Sequence, residues 1–199
     1  YNTATGNPAP GVQTARPGMD IVLKSIGEAE RNDIARPIDA LLLQEQFSTN
    51  EGDDATDDVA TQSFVDLMNS IYGTIQNPTP YARGRVATIT SDPDDQTSGP
   101  HIVYNTQTIQ LMSEYRFGTV NASAQARSTL RYQLRPVGYN PDADFYIYNS
   151  HYKAGDGTPD QARRAIEATS IRTDETYGSD LLGEGAHVLY VGDFNMQSS

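Results

Sequence analysis

Polar side chains follow a predicted strand near residue 190, at a point where a buried strand would not require them. The run HVLYV, residues 187–191, is apolar and rich in residues that favour β-strands. The sequence GDFN comes next, and alternation along an extended chain predicts that Asp193 and Asn195 share one face. A carboxylate beside a carboxamide at a strand end suits a site for a metal ion and a phosphate group.

Three other predicted strand ends carry comparable polar residues. Glu45 follows the leucines of LLLQ, and a carboxylate beside a buried strand is costly unless it is paired or binds a metal. His151 closes the segment Asn149-Ser150-His151 after the apolar run FYIY, and Asn2 lies on a short first strand, Tyr1 to Thr5. Each residue alone is typical of an ordinary strand terminus, but together they favour a shared site.

Three blocks of sequence resemble the endonuclease/exonuclease/phosphatase family. They are LLLQEQ (41–46), YNSHYKAG (148–155) and YVGDFN (190–195), and HIVYNTQTIQLM (101–112) is similar to the family's central hairpin. The superfamily includes deoxyribonucleases of the pancreatic type, abasic-site endonucleases, inositol-polyphosphate phosphatases and neutral sphingomyelinases. The resemblance covers the whole chain, so it implies one domain over residues 1–199 with the deoxyribonuclease-I-like α/β fold, a four-layer α/β/β/α sandwich.

The resemblance also implies a metal site. Glu45 and Asp193 would bind a divalent cation, with Asn2 supporting the site. Such oxygen ligands favour hard cations over zinc, so Mg²⁺ is expected, with Mn²⁺ or Ca²⁺ as alternatives. Carboxylates gathered at one edge repel each other when no metal is bound, so the metal should also stabilise the fold.

A phosphate site is implied at the same edge. His151 would stabilise the phosphoryl oxygens, Asn195 would bind the phosphate, and Asp193 would orient or activate the attacking water. These three residues form the expected catalytic set. Arg127 matches an arginine that precedes the histidine-bearing strand and would bind the substrate, while Arg131 is the alternative.

One part of the family pattern has no counterpart in this sequence. The family's late Asp-His pair, whose histidine acts as general acid and base, would lie beyond Ser199. His101 has no carboxylate near it in sequence, and six residues at about 3.3 Å each would place His187 roughly 20 Å from Asp193. The sequence therefore predicts a domain truncated at both ends, with an exposed apolar sheet face and poor catalysis.

Composition narrows the functional classes. The chain has 199 residues, a formal net charge of −12 and no cysteine, which excludes disulfide scaffolds, thiolate zinc sites and cysteine nucleophiles. The negative charge argues against a non-specific nucleic-acid coat protein, although a bound cation would reverse the local field. No apolar run is long enough to span a bilayer. Localisation and oligomeric state stay open, with a secreted or saline setting slightly favoured.

The remaining pattern predicts helices near both ends and strands between them. A helix over Asp20–Arg31 would bury a stripe made of Ile21, Val22, Ile26 and Ala29, and a second helix is predicted over Val59–Tyr72. A helix that begins near Thr158 would turn Arg163 and Arg164 outward. Further strands are predicted over Ile38–Gln44, Tyr81–Thr90, His101–Asn105, Ile109–Phe117, Thr129–Val137 and Phe145–Tyr152.

The leading interpretation is a divalent-metal-dependent phosphodiester hydrolase, with nucleic acid as the first choice of substrate. A phosphomonoesterase or a lipid phosphodiesterase of the sphingomyelinase type is an alternative, because the superfamily shares these sequence blocks. A catalytically inactive binding module of the same fold is the other alternative.

Overall fold

The computed structural model describes residues 14–30, 32–46, 59–84, 99–117, 129–177, 182 and 185–196, and at residues 45, 46, 59, 99, 100, 117 and 175–177 it describes the backbone alone. The predicted first strand, the acidic loop over residues 51–58, Asn2 and Arg127 lie outside these ranges. The helices are α1 (Met19–Glu28), α2 (Val59–Tyr72) and α3 (Thr158–Tyr177). The strands are β1 (Ala40–Gln46), β2 (Tyr81–Arg83), β3 (Gly99–Asn105), β4 (Ile109–Phe117), β5 (Thr129–Pro136), β6 (Phe145–His151) and β7 (His187–Asp193).

The described strands form two sheets. The first has the order β1-β3-β2, and its strands are antiparallel. The second has the order β4-β5-β6-β7, in which β6 and β7 are parallel and the other pairs are antiparallel. A parallel pair needs a crossover connection, and α3 supplies it between β6 and β7. The protein is therefore a mixed α/β structure with two sheets.

The two sheets pack face to face, and helices cover their outer faces. One apolar cluster joins α1 and α2 to the first sheet, and its members include Leu23, Leu43, Phe64, Met68 and Val103. A second cluster lies between the sheets and is built from Ile102, Ile109, Leu130, Tyr132, Leu134 and Ile147. A third cluster packs Ile171 of α3 against Tyr148 and Tyr152, on the other face of the second sheet.

Helix α1 buries a different face from the one predicted. Ile21 and Ile26 are 68% and 56% exposed, whereas Leu23 is buried and Gly27 lies against α2. A Cβ at Gly27 would overlap the hydroxyl of Tyr72, which itself donates a hydrogen bond of 2.7 Å to the carbonyl oxygen of Leu23. Close approach of the two helices at a glycine therefore decides which face of α1 is buried, and the apolar stripe is left outside.

Strand β7 is less buried than its sequence predicts. It lies at the edge of the second sheet as far as the structure describes it, and Leu189 and Tyr190 are about half exposed. The strand nevertheless keeps the predicted starting point and runs on to Asp193. In the described part of the chain, no helix is both long and apolar enough to cross a bilayer.

A buried ion pair joins the second sheet to α3. Arg131 Nη1 lies 2.8 Å from Asp174 Oδ2, and the two side chains are 4% and 6% exposed. The hydroxyl of Tyr148 donates to the same carboxylate at 2.9 Å. Burial, followed by the hydrogen bond to Asp174, raises the pKa of Tyr148, so its hydroxyl stays protonated at neutral pH. The guanidinium also lies 5.4 Å from the ring centre of Tyr115, and these contacts place Arg131 beneath α3 rather than at the strand-end edge.

Replacing Asp174 with asparagine should destabilise the fold strongly. The substitution leaves the Arg131 guanidinium buried without its countercharge, and breaking such a pair costs about 3–5 kcal/mol. Urea unfolding of both proteins would measure the difference. The matched control is Asp160→Asn on the same helix, because its ion pair with Arg163 is partly exposed and should contribute at most about 1 kcal/mol. Equal unfolding midpoints for the two variants would contradict the assignment.

Candidate functional site

The ends of β6 and β7 bring two of the predicted site residues together. The parallel register pairs His151 with Asp193, so both residues lie at the carboxyl end of neighbouring strands. Side chains in register on adjacent strands share a face of the sheet, and the strands lie about 4.8 Å apart. Gly192 permits this approach, because its φ is 142° and a Cβ there would overlap the carbonyl oxygen of Ser150.

Asn195 reaches the same place through a turn, rather than through the strand alternation that the sequence predicts. Strand β7 ends at Asp193, and Asn195 has a left-handed backbone with φ 47°. Its backbone N–H donates to Asp193 Oδ1 at 2.9 Å, as in an Asx turn. Its Nδ2 donates to the carbonyl oxygen of Tyr152 at 2.8 Å. The turn therefore fixes Asp193 and Asn195 relative to each other.

The same turn holds the residue that follows His151. The backbone N–H of Tyr152 donates to the carbonyl oxygen of Asp193 at 2.9 Å, and its ring packs edge-on against Phe194 with ring centres 5.1 Å apart. Burial and the charge of Glu167 raise the pKa of Tyr152 to about 12, so it serves here as a packed, protonated phenol. His151 itself is only 5% exposed.

A buried carboxamide joins this site to the first sheet. Asn149 is fully buried on β6, and its Oδ1 accepts a hydrogen bond of 2.7 Å from Gln44 Nε2 on β1. Its Nδ2 donates to the carbonyl oxygens of Leu43, at 3.2 Å, and of His101, at 3.0 Å. Buried polar groups in proteins are almost always paired in this way. We call this set of bonds the inter-sheet clamp.

The clamp fixes the strand that carries Glu45. Gln44 precedes Glu45 directly, and the pairing of β1 with β3 shifts register between Leu43 and Gln46. Such β-bulges change the direction of the chain and are frequent beside active sites. Gln44, the residue before Glu45, is thus bonded to Asn149, two residues before His151, whereas the side chain of Glu45, Asn2 and Arg127 lie outside the description.

Sequence reasoning did not identify the clamp residues as a pair. Asn149 stands inside the apolar run FYIYNSH, and Gln44 stands inside LLLQEQ. The available signal is a polar residue within a strand that must be buried, which requires a partner nearby. What the sequence lacks is the information that β1 and β6 face each other across the core.

The chemistry of this edge suits an anion and a hard cation. Carboxylate and carboxamide oxygen atoms come from Asp193 and Asn195, and Glu45 lies on β1 of the other sheet. Oxygen atoms of this kind are the ligands that Mg²⁺, Mn²⁺ and Ca²⁺ prefer. Within the described residues, no group of three or more His, Asp or Glu side chains converges as a complete metal site.

Comparisons with known proteins identify the fold. No family model and no curated protein matches the sequence. Among solved structures, the chain is similar to ANGEL2, a 2′,3′-cyclic phosphatase, with a TM-score of 0.54 and 15% identity over 90% of this chain and 42% of that one. It is also similar to a functionally unknown conserved protein from Enterococcus faecalis V583, with a TM-score of 0.53 and 16% identity over 89% of this chain and 58% of that one.

A second structure of ANGEL2, in complex with adenosine-2′,3′-vanadate, matches with a TM-score of 0.52 at 16% identity, over 90% of this chain and 43% of that one. The chain thus spans about half the length of these solved chains. Identities this low show the fold alone. They confirm the coarser part of the expected fold, a mixed α/β structure with two sheets that matches these solved chains over part of their length.

Replacing Asn149 with leucine should loosen the contact between the sheets. The substitution leaves the Gln44 amide and two backbone carbonyls without their partner, at a cost of about 1–3 kcal/mol for each buried group. Urea unfolding would measure this loss, and Gln110→Leu on the exposed face of β4 should change stability by less than about 0.5 kcal/mol. If the clamp exists, adding Gln44→Leu to Asn149→Leu costs less than the sum of the single effects. Additive effects would contradict the clamp.

Proposed function

We propose that this protein is a divalent-metal-dependent phosphodiester hydrolase that acts on nucleic acid. The observation that carries the proposal is the parallel register of His151 with Asp193, with Asn195 turned back onto both strands. Three polar residues from two separate sequence blocks lie at one strand-end edge. The fold supports the proposal, because a solved protein with the same fold is a 2′,3′-cyclic phosphatase and binds adenosine-2′,3′-vanadate.

Each residue at the edge has a proposed role. Asp193 orients the attacking water and accepts its proton at Oδ2, because Oδ1 already accepts from the Asn195 backbone. His151 stabilises the non-bridging oxygens, where negative charge builds during in-line attack, and Asn195 holds the phosphate. Arg127 would bind the negatively charged substrate through its guanidinium, whereas the guanidinium of Arg131 forms an ion pair with Asp174.

The metal belongs to the same proposal. Glu45 and Asp193 would hold Mg²⁺, with Asn2 supporting them, and Mn²⁺ or Ca²⁺ are the alternatives. A bound cation of this class stabilises charge on the phosphoryl oxygens and on the leaving oxygen. The protein contributes the position of its ligands: the clamp fixes β1 beside β6, and the Asx turn fixes Asp193.

The finer form of the fold is part of the proposal as well. A four-layer α/β/β/α sandwich agrees with the three apolar clusters, since two helices cover one sheet, the sheets pack together, and α3 covers the other.

Cleavage should depend on metal and on the edge residues. We expect His151→Ala and Asp193→Asn to lower the rate by about 10²–10⁴-fold, because each removes a group that acts in the transition state. Plasmid DNA, RNA, inositol phosphates and sphingomyelin, each with Mg²⁺ and with chelator, are the substrates to assay. His187→Gln is the matched control, because it changes an exposed histidine at the opposite end of β7.

Cleavage that resists the chelator would contradict the mechanism. Cleavage of inositol phosphates or of sphingomyelin, without cleavage of nucleic acid, would assign the alternative substrate class. No cleavage of any substrate would favour an inactive binding module of the same fold.

Metal should also stabilise the folded protein. Binding to the native state alone adds about 2.7 kcal/mol when the free ion is at 100 times its dissociation constant. We therefore expect Mg²⁺ to raise the Tm of the unmodified protein, and to raise that of Asp193→Asn much less. Thermal unfolding followed by circular dichroism would measure both shifts, with Asp20→Asn on the exposed face of α1 as the control. Equal shifts in all three proteins would exclude Asp193 as a ligand.

A further inference from the structure

The segment that follows His151 is held by two charged side chains of α3. Glu167 Oε2 accepts a hydrogen bond of 3.0 Å from the backbone N–H of Lys153. Arg164 Nη1 donates to the carbonyl oxygen of Lys153 at 2.8 Å and to that of Gly155 at 2.6 Å. The peptide groups on both sides of Lys153 are therefore fixed by one helix.

This arrangement uses groups that are costly to bury. Glu167 is 1% exposed, and a buried carboxylate is stable only when hydrogen bonds or charges compensate it. Arg164 was expected to face solvent from its helical spacing, yet it is half-buried and turned towards the segment. Connecting segments are normally exposed and mobile. Because Glu167 and Arg164 bind the backbone on both sides of Lys153, the position of Lys153 is fixed relative to α3.

The residue that these hydrogen bonds hold in place is Lys153, and lysine is a rare residue type in this chain. Lys24 and Lys153 are the only lysines of the 199 residues. Lys24 lies on α1, 3.7 Å from the carboxylate of Glu28, whereas the Lys153 ammonium makes no ion pair within the described part of the chain. Lys153 lies two residues after His151, where the chain leaves the strand-end edge. On a chain with a net charge of −12, an approaching polyanion depends on local cations of this kind.

We propose that Lys153 binds a phosphate of the substrate adjacent to the one that is attacked, and that Glu167 and Arg164 position it. Lysine binds phosphate as a compact point charge, which suits a backbone contact rather than the reading of a base. A second phosphate contact selects a polymeric phosphodiester over a phosphomonoester. The inference rests on the proposed function and narrows its substrate class to oligonucleotides.

The two lysines allow a test that does not depend on catalysis. The His151→Ala protein, which keeps the proposed metal ligands, is acylated in the presence of Mg²⁺ by an amine-reactive reagent, with and without a short single-stranded oligonucleotide. The modified peptides are quantified by mass spectrometry. We expect the oligonucleotide to protect Lys153 and to leave Lys24 unchanged. Equal reactivity of Lys153 with and without the oligonucleotide would overturn the inference, even if the unmodified protein cleaves nucleic acid. If the oligonucleotide protects Lys153 but the unmodified protein cleaves no nucleic acid, the phosphate contact is supported and the proposed hydrolysis is rejected.

Kinetics give a second readout. Lys153→Met should raise the KM for an oligonucleotide and leave kcat nearly unchanged, because the contact is made equally in the bound and transition states. It should also reduce the salt dependence of binding by about one phosphate contact. Lys24→Met removes the same charge from the exposed face of α1 and should change neither quantity. Equal effects of the two substitutions would reduce the role of Lys153 to net charge.

The positioning role of Glu167 is tested by a conservative pair. Glu167→Gln keeps an oxygen that can accept from the Lys153 backbone N–H, so it should retain the KM and the protection of Lys153. Glu167→Leu removes the acceptor, and it should raise the KM by as much as Lys153→Met does. Urea unfolding checks that each variant is folded under the assay conditions. A folded Glu167→Leu protein with an unchanged KM would show that Glu167 only stabilises the fold.

Discussion

The geometry of the candidate site depends on one buried carboxamide. The side chain of Asn149 joins β6 of the second sheet to β1 and β3 of the first through three hydrogen bonds. Apolar packing between two sheets is non-directional, so it tolerates small shifts of one sheet along the other. A side chain that is hydrogen-bonded to both sheets does not tolerate such shifts, because each hydrogen bond needs a defined distance and angle. The clamp therefore sets the relative position of Glu45 on one sheet and His151 on the other.

Much of the fold could be predicted because its pattern is local. Helix α2 and strand β4 have the predicted bounds, since the period of their apolar residues is clear. The site residues His151 and Asp193 stand out for a related reason, because polar residues at the end of an apolar strand need an explanation. The bond between Gln44 and Asn149 could not be predicted, since it joins strands far apart in sequence and depends on which sheet faces bury each other.

Two of the predictions that were wrong share a physical cause, which is close approach between elements. The buried face of α1 is set by Gly27, which lets Tyr72 of α2 come near, and not by its most apolar stripe. Arg164 turns inward because backbone carbonyls of the preceding segment lie within its reach. In both cases the periodicity of one element was outweighed by a hydrogen bond to another, and such bonds leave no trace in a single sequence.

Helix α3 connects β6 to β7 and also binds the segment that follows β6, and both roles follow from the topology of the sheet. Parallel strands such as β6 and β7 cannot be joined by a tight turn, so a crossover helix must lie on the sheet beside them. Because α3 must pack there, its inward side chains lie under the strand ends and under the segment that leaves them. Asp174 is used to pair a buried arginine of β5, and Glu167 and Arg164 are used to hold the chain after His151. Helix α3, the crossover that the parallel pairing of His151 with Asp193 requires, therefore also fixes the segment that follows His151.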